Sequence, residues 1–325
     1  MQRAIFDEFG QPADVVRVEE CPAATLNAGD VRVRMLATPV NPADLNFIQG
    51  VYGIKPELPA IPGGEGCGEV VESAAPGFSA GDRVIFLGRG PCWQSEVVAP
   101  AKALFKLPVA LDPLQAAMLK VNPPTAWRLL TGFATLPAGS WIVQNAANSG
   151  VGRCVIQLAR EMGVRTINLV RRPELAAELI ALGADVVLAD APDMPDAAME
   201  ATGGVRPVLA FNAVGGESAL RQLNLLADAG QQITYGAMSR RPVTVPNSLM
   251  IFKQLSLHGL WISRWLETAP RDELDATFSD LAGLIHSGAL VQAVDSTFPL
   301  ADIRGACLRA QQDSRNGKVL IESKV

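Results

Sequence analysis

The chain has 325 residues, about half of them apolar, and a formal net charge of −5 at pH 7. At roughly 150 residues per domain, this length predicts two domains with sizeable cores. The acidic balance excludes a general role in binding nucleic acid or an anionic membrane, because both need a basic field, but it leaves room for a local basic pocket.

The N-terminal sequence lacks the basic start and apolar run of a secretory signal. No stretch reaches the roughly 20 apolar residues that span a bilayer. The five cysteines are widely spaced and form no C-x-x-C pair, which favours free thiols in a reducing compartment. We therefore predict a soluble, cytoplasmic protein with no membrane partner.

Short β-like runs separated by Gly and Pro fill residues 1–112. Examples are VRVRMLA (31–37), GEVVES (68–73) and DRVIFLG (82–88). Their spacing and turn residues predict a compact, mostly antiparallel β domain.

Strands alternate with helices over residues 113–257. The predicted strands cover 141–146, 165–170, 185–190, 207–214 and 231–237, and the predicted helices cover 150–162, 173–183 and 218–230, the last one stopped by Gly230. Such alternation predicts a parallel sheet with right-handed crossovers, the doubly wound Rossmann domain of an α/β protein.

The tail, 258–325, is mixed. Residues 255–262 (LSLHGLWI) are predicted as a strand, 272–288 as a helix and 318–323 (KVLIES) as a last strand. We predict that this tail returns to the β domain and completes it.

A candidate cofactor loop, NAANSGVG (145–152), lies between a predicted strand and a predicted helix. A dinucleotide pyrophosphate binds at this place, on the helix N-terminus. Two of the three usual glycines are replaced by Ala147 and Ser149, so an ordinary Gly-containing turn is the alternative.

The end of the next strand indicates the nucleotide. NAD enzymes carry an Asp or Glu about 20 residues after the glycine loop, for the ribose 2′-hydroxyl. Here Arg171 and Arg172 stand at that place. A guanidinium pairs with a 2′-phosphate, whereas a carboxylate would repel it, so the pair predicts NADPH. Two solvated surface arginines are the alternative.

Metal-binding residues are sparse. His258 and His286 are the two histidines, and the cysteines are scattered. A zinc site needs three or four ligands, usually with some close in sequence, so no metal is predicted.

Several long segments resemble the zinc-free 2-enoyl thioester reductases of the medium-chain dehydrogenase/reductase superfamily, over nearly the whole chain. These segments are VNPADLNFIQGVYG (40–53), PELPAIPGGEG (56–66), VNPPTAWRLL (121–130), QNAANSGVG (144–152), RTINLVRR (165–172), TYGAM (234–238), FKQLSLHGLWISRW (252–265) and GKVLIE (317–322).

The resemblance implies a GroES-like catalytic domain beside the Rossmann domain, and an activity that reduces the C2=C3 bond of trans-2-enoyl thioesters of coenzyme A or acyl carrier protein in fatty acid metabolism. Zinc-bearing relatives carry G-H-E where this chain has Gly63, Gly64 and Glu65, and a Cys where it has Asn41. The resemblance thus also implies no zinc, and it implies a homodimer, for which 255–262 could supply a strand edge.

The resemblance also assigns site residues. The implied pyrophosphate contacts are Asn148, Ser149, Gly150, Val151 and Gly152; those near the 2′-phosphate are Arg171 and Arg172; those near the nicotinamide are Tyr235, Gly236, Ala237, Met238, Leu260, Trp261 and Ile262; and further cofactor contacts are Asn122 and Lys318. Pro173 stands where the family has another basic residue, which predicts a weaker clamp. Tyr52 matches the catalytic tyrosine.

The chemistry fits that assignment. Hydride addition at the β-carbon of an enoyl thioester leaves an enolate, which needs a proton at the α-carbon, and a tyrosine hydroxyl can donate it. Quinone or other activated-alkene reduction is one alternative, since it needs no tyrosine donor, and NADPH binding without catalysis is another. Asp44 and Glu65 are a candidate carboxylate pair, but structural hydrogen bonds to turn backbones are the favoured interpretation.

Overall fold

The computed structural model describes residues 1–313 and 315–323. The chain divides into two compact units, one of Met1–Val121 with Ser263–Val325 and one of Asn122–Ile262. The sequence analysis placed the corresponding limits at 112/113 and 257/258, so both limits lie later in the structure.

The first unit begins with seven strands and three short helices. They are β1 (Gln2–Ile5), α1 (Pro12–Val15), β2 (Arg17–Glu20), β3 (Asp30–Pro39), α2 (Pro42–Ile48), β4 (Cys67–Ser73), β5 (Arg83–Phe86), β6 (Glu96–Pro100), β7 (Leu104–Lys106) and α3 (Pro113–Ala117). β1 and β2 form a two-stranded sheet, and the other strands belong to a larger sheet in which β3, β4, β5 and β7 follow one another and β6 pairs with β3. These pairings are antiparallel.

The alternating sequence VRVRM explains why β3 forms. Val31, Val33 and Met35 point into an apolar core. Arg32 and Arg34 lie opposite Glu72 and Glu69 of β4 and make ion pairs with them at 3.0 and 2.6 Å. Apolar residues thus cover one face of the strand while cross-strand ion pairs line the other.

The second unit is a six-stranded parallel sheet with helical crossovers. Its elements are α4 (Asn122–Thr131), β8 (Trp141–Gln144), α5 (Gly150–Glu161), β9 (Arg165–Val170), α6 (Ala176–Ala181), β10 (Val186–Ala189), α7 (Met194–Ala201), β11 (Leu209–Asn212), α8 (Gly216–Leu225), β12 (Gln231–Thr234), α9 (Asn247–Phe252) and β13 (Ser256–Gly259). The strand order is β10-β9-β8-β11-β12-β13. The direction of winding reverses between β8 and β11, which is where doubly wound sheets bind their ligands.

The return segment completes the first unit. It contains α10 (Ile262–Thr268), α11 (Arg271–His286), β14 (Val294–Phe298), α12 (Ile303–Gln311) and β15 (Lys318–Glu322). β15 pairs antiparallel with β3, and β14 pairs parallel with β15. The predicted fold class, a Rossmann domain plus a mostly antiparallel β domain, is confirmed.

Three sequence predictions of secondary structure were wrong in detail. The helix expected over 218–230 ends at Leu225, because Leu226 adopts an extended conformation before Gly230 is reached. The strand expected over 255–262 ends at Gly259, and Ile262 already begins α10. Pro173 opens a 3₁₀ turn, Pro173–Leu175, and the α-helix begins only at Ala176.

Packing explains the position of the first unit limit. Helix α3 packs against β3 and β4, so the residues after 112 stay with the first unit. Within the described ranges, no helix has the length and apolar character needed to cross a membrane.

Candidate active site

The loop after β8 has the geometry of an anion cradle. Ser149 precedes α5, and its Oγ accepts a hydrogen bond from the Gly152 N–H at 3.1 Å. A Cβ on Gly152 would lie 2.5 Å from the Ala147 carbonyl oxygen, so the backbone here is too close for a side chain. The first turn of α5 therefore carries glycine where a side chain would collide with the loop, and the N-terminus of such a helix favours an anion such as a pyrophosphate.

Asn122 and Tyr235 reach this loop from distant positions in the chain. The Asn122 amide is buried against Gly150, where an added Cβ would stand 2.5 Å from Nδ2. The Tyr235 hydroxyl is buried beside Ser149, without a hydrogen-bond partner of ordinary geometry among the described residues. Burial raises the pKa of Tyr235. A buried hydroxyl without a partner is costly, so the loop is suited to a polar ligand that supplies one.

The residues predicted near the nicotinamide follow β12 and β13. Tyr235 directly follows β12, and its N–H donates to the Asn212 carbonyl. Leu260 donates to the Thr234 carbonyl at 3.0 Å, which keeps it beside the end of β12 although β13 has ended. Gly236 is half-buried, while Ala237, Met238 and Trp261 are exposed. Ile262 lies at the start of α10.

Arg171 and Arg172 come directly after β9, with exposed side chains. This position, at the carboxyl end of the strand beside β8, is the one that the sequence analysis required for recognition of a 2′-phosphate. The 3₁₀ turn and α6 follow at once.

A buried arginine that the sequence analysis missed connects this segment to the loop. Arg153 Nη2 pairs with Glu178 Oε1 of α6 at 2.8 Å, and Arg153 Nε donates to the Asn148 carbonyl at 3.2 Å. The ion pair thus joins the candidate pyrophosphate loop to the helix behind Arg171 and Arg172.

A second missed feature is a polar network at the carboxyl ends of three strands, β8, β10 and β11. Asn145 Nδ2 donates to Asn212 Oδ1 at 2.9 Å and to Ser218 Oγ at 2.8 Å, and Ser218 donates to Asp190 at 2.5 Å. Arg221 pairs with Asp190 through two nitrogens. A polar residue at or just after the end of several strands was the sequence signal that could have revealed this network. The network holds Asn145, the first residue of the candidate cofactor loop.

Tyr52 lies in the first unit, in the loop after α2. Its half-buried ring packs against an apolar cluster that contains Phe6, Phe47 and Trp93. The Arg89 guanidinium lies over the Phe47 ring, 3.7 Å from its centroid, and 5.2 Å from the centroid of the Tyr52 ring. A cation therefore stands beside the predicted catalytic tyrosine, and the sequence analysis did not identify it.

Asp44 and Glu65 are buried and fully engaged in hydrogen bonds. Asp44 accepts from the N–H groups of Asn41 and Gly64 at 2.9 and 2.8 Å. Glu65 accepts from Asn41 Nδ2 at 2.7 Å and from the Val121 N–H at 3.0 Å. Burial raises the pKa of both carboxyl groups, that of Glu65 from 4.5 to about 7. These contacts favour the structural role that the sequence analysis preferred.

Two lysines belong to the same buried network. Lys318 Nζ donates to Asn41 Oδ1 at 2.6 Å, and Lys120 Nζ donates to the carbonyls of Gly64 and Gly88 at 2.8 and 2.7 Å. The structure thus places Lys318, an expected cofactor contact, in the first unit at Asn41. Over residues 1–313 and 315–323, no group of three or more His, Cys, Asp or Glu side chains is arranged to hold a metal ion.

Comparison with known proteins gives matches over both units. The family model "Alcohol dehydrogenase GroES-like domain" matches residues 27–109, and the model "Zinc-binding dehydrogenase" matches residues 150–279. The human mitochondrial enoyl-[acyl-carrier-protein] reductase is 41% identical over 313 residues, which cover 93% of this chain and 83% of that protein. The same enzyme of Arabidopsis thaliana is 40% identical over 294 residues, which cover 88% and 78%.

Solved structures agree with these matches. The complex of Etr1p with NADP and crotonyl-CoA is 29% identical, with a TM-score of 0.87 and 99% of each chain covered. A mutant enoyl thioester reductase from Candida tropicalis is 30% identical, with a TM-score of 0.88 and the same coverage. A mycobacterial quinone oxidoreductase is 28% identical, with a TM-score of 0.88, covering 99% of this chain and all of the other.

Proposed function

Since the chain belongs to the medium-chain dehydrogenase/reductase superfamily, in the family of the mitochondrial enoyl-[acyl-carrier-protein] reductases, we propose that it reduces the C2=C3 double bond of trans-2-enoyl thioesters with NADPH. The observation that carries this proposal is the whole-length similarity to enoyl thioester reductases, together with the position of Tyr52. Its hydroxyl-bearing ring packs on the apolar cluster of the first unit and lies beside the Arg89 cation.

The cofactor-binding residues fit NADPH. Asn148 to Gly152 would hold the pyrophosphate with the N–H groups of α5, and Asn122 and Tyr235 would add polar contacts. Arg171 and Arg172 would pair with the 2′-phosphate. When bound, NADPH supplies the hydride equivalent that reduces the β-carbon.

Tyr52 would act as the proton donor. Its hydroxyl would donate a hydrogen bond to the thioester oxygen, where negative charge develops, and then give its proton to the α-carbon. No metal is required for this polarisation, and we propose a metal-independent enzyme: Asn41 and Gly64 occupy the expected ligand positions, and both donate hydrogen bonds within the buried network.

Substrate tests separate this function from its alternatives. We expect the purified protein to consume NADPH steadily with crotonyl-CoA, and a panel of 2-enoyl thioesters of different length and carrier should define the preferred acyl chain. Consumption with a quinone but not with crotonyl-CoA would favour the quinone reductase alternative, to which the mycobacterial structure lends weight. NADPH binding without turnover on either substrate would indicate a non-enzymatic role.

We also propose a homodimer. β13 is an edge strand whose four residues are all exposed, and α9 just before it exposes Met250, Ile251 and Phe252, the last with 79% of its surface accessible. An unpaired edge beside exposed apolar side chains is suited to pairing with the same strand of a second copy. Light scattering at micromolar concentration should give twice the chain mass, and a monomer mass would contradict the proposal.

The cellular location stays a prediction. None of the five cysteines, all of which lie in the described residues, forms a disulfide bond, which supports the reducing cytoplasm that we expect. The relatives named above are mitochondrial enzymes. Mitochondria are a compartment in which free thiols also occur.

A further inference from the structure

Arg89 is a cation stacked on an aromatic platform beside Tyr52. Its guanidinium carbon lies 3.7 Å from the centroid of the Phe47 ring and 5.2 Å from that of Tyr52. Phe47 is buried and meets Phe6 edge-on, with ring centroids 5.8 Å apart, so the platform is fixed by the core. A guanidinium stacked on one ring is held where it also acts on the neighbouring ring.

The loop that carries Arg89 is anchored on both sides. The Leu87 N–H donates to the Ala103 carbonyl at 2.8 Å, and the Cys92 N–H donates to the Gly63 carbonyl at 2.9 Å. Between them, the Gly88 carbonyl accepts from the buried Lys120 ammonium. The backbone on either side of Arg89 is therefore held in place.

The Arg89 guanidinium forms no ion pair with a described carboxylate. The nearby Asp44 carboxylate uses its oxygens on the N–H groups of Asn41 and Gly64. Throughout the described parts of the chain, the Arg89 guanidinium makes no hydrogen bond or ion pair, and its contacts are the two rings. Partial burial lowers the pKa of Arg89, and the nearby Asp44 carboxylate opposes that shift.

We propose that Arg89 is a positioning residue for Tyr52: it holds the ring and stabilises the negative charge that forms on Oη when the hydroxyl gives up its proton. This inference rests on the proposed function. In that step the O–H bond of Tyr52 breaks and a C–H bond forms at the α-carbon of the enolate. The enolate supplies the electron pair of the new bond, and the pair of the O–H bond stays on Oη as phenolate. A preorganised cation 5.2 Å from the centroid of the Tyr52 ring lowers the energy of the phenolate charge as that charge develops.

The test compares Arg89→Met with a matched control, Lys55→Met. Lys55 is also an exposed cation over an aromatic ring of the same unit, 5.0 Å from the centroid of Phe9, so both variants remove one positive charge and one cation–π contact. We expect Arg89→Met to lower kcat with crotonyl-CoA by about ten- to a hundredfold. This is less than the whole contribution of a general acid, which is about 10²–10⁴-fold, because the Tyr52 hydroxyl is still present. The KM for crotonyl-CoA and the Kd for NADPH should stay near wild type, and Lys55→Met should match wild type in all three.

Two readouts separate this role from a structural one. The solvent deuterium isotope effect on kcat should increase in Arg89→Met, because proton transfer becomes slower, whereas a packing defect would leave it unchanged. In the Tyr52→Phe background, Arg89→Met should have little further effect, since the group on which it acts is gone. Arg89→Lys keeps the positive charge but loses the planar stack, so its kcat should lie between those of wild type and Arg89→Met. This variant also tests the proposal if Arg89→Met folds poorly.

Three results would overturn the proposal. They are an unchanged kcat in Arg89→Met, an increase in the KM for crotonyl-CoA alone, and a loss of the same size with and without the Tyr52 hydroxyl. If wild type reduces crotonyl-CoA and Tyr52→Phe does not, such results would remove only the role of Arg89. If wild type itself does not reduce crotonyl-CoA, the proposed function fails.

Discussion

The side-chain amide of Asn122 lies directly against Gly150, so that a Cβ on residue 150 would stand 2.5 Å from Asn122 Nδ2. This contact joins the start of α4 to the first turn of α5, 28 positions later in the numbering. A side chain on residue 150 would therefore have to displace the Asn122 amide. The same crowding occurs at Gly152, where the obstacle is the Ala147 carbonyl.

Alanine at the two glycines should weaken cofactor binding to different degrees. Gly150→Ala meets the end of a side chain, which can shift, and should raise the Kd for NADPH by about tenfold. Gly152→Ala meets backbone, which cannot shift without moving the loop, and should raise it by roughly a hundredfold. Fluorescence titration with NADPH would measure both. Gly283→Ala is the control: Gly283 is exposed in α11 with open space around it, so this variant should bind normally and gain roughly 0.5–1 kcal/mol of stability. Equal, wild-type affinities for all three variants would contradict the cradle.

Removing the Arg171 guanidinium should reduce the preference for NADPH. Losing one charge-assisted contact to a phosphate costs roughly 1.5–3 kcal/mol, about ten- to a hundredfold in KM. Arg171→Ala should therefore raise the KM for NADPH by that factor and leave the KM for NADH unchanged, as steady-state kinetics with both cofactors would show. A wild-type enzyme that uses NADH as well as NADPH would refute the assignment.

The ion pair between Arg153 and Glu178 should affect both cofactors alike. Glu178→Gln removes the 2.8 Å ion pair while leaving the Arg153 side chain in place. Arg153 holds the loop that binds the pyrophosphate, which NADPH and NADH share, so both KM values should increase by about three- to tenfold, in contrast to Arg171→Ala. Glu161→Gln is the control, because its pair with Arg160 is exposed and worth little. A NADPH-specific effect, or none, would show that the pair does not hold the loop.

Removing the Tyr52 hydroxyl should slow chemistry and spare binding. Tyr52→Phe keeps the ring that packs on the apolar cluster, so the fold should survive. With crotonyl-CoA, kcat should fall by roughly 10²–10⁴-fold, while the Kd for NADPH stays near wild type. Quinone reduction, if wild type shows it, should change little because it needs no enolate proton. A variant that binds NADPH and reduces crotonyl-CoA at the wild-type rate would exclude Tyr52 from the mechanism.

Glu65 should make stability depend on pH. Burial raises the pKa of its carboxyl from 4.5 to about 7, even though Lys318, Asn41 and Lys120 lower it. The folded state then holds a proton that the unfolded state has released, so the free energy of unfolding falls as pH rises from about 4.5 to about 7. The contribution is up to about 3 kcal/mol. Urea unfolding should show that the free energy of unfolding decreases more between pH 5 and pH 8 for wild type than for Glu65→Gln. Equal decreases in the two proteins would contradict this account.

Local patterns account for what could be predicted of the fold. The alternation VRVRM and the strand–loop–helix pattern around 145–152 were correct, because both depend on neighbours within a few residues. The pattern failed at LSLHGLWI, where apolar residues suit a strand and a helix equally. Only packing decides that β13 ends at Gly259 and α10 begins at Ile262.

By itself, then, the sequence determined the fold class, the candidate cofactor loop and, through the resemblance of its motifs, the family. The tertiary structure alone decided which distant side chains meet: Lys318 at Asn41, Tyr235 beside Ser149, and Arg89 over Phe47 next to Tyr52. The physical reason is that these contacts depend on the register of strands and on the packing of loops that are far apart in the chain. No local propensity carries that information, because the type of a residue and its neighbours in sequence do not specify which distant side chain it meets.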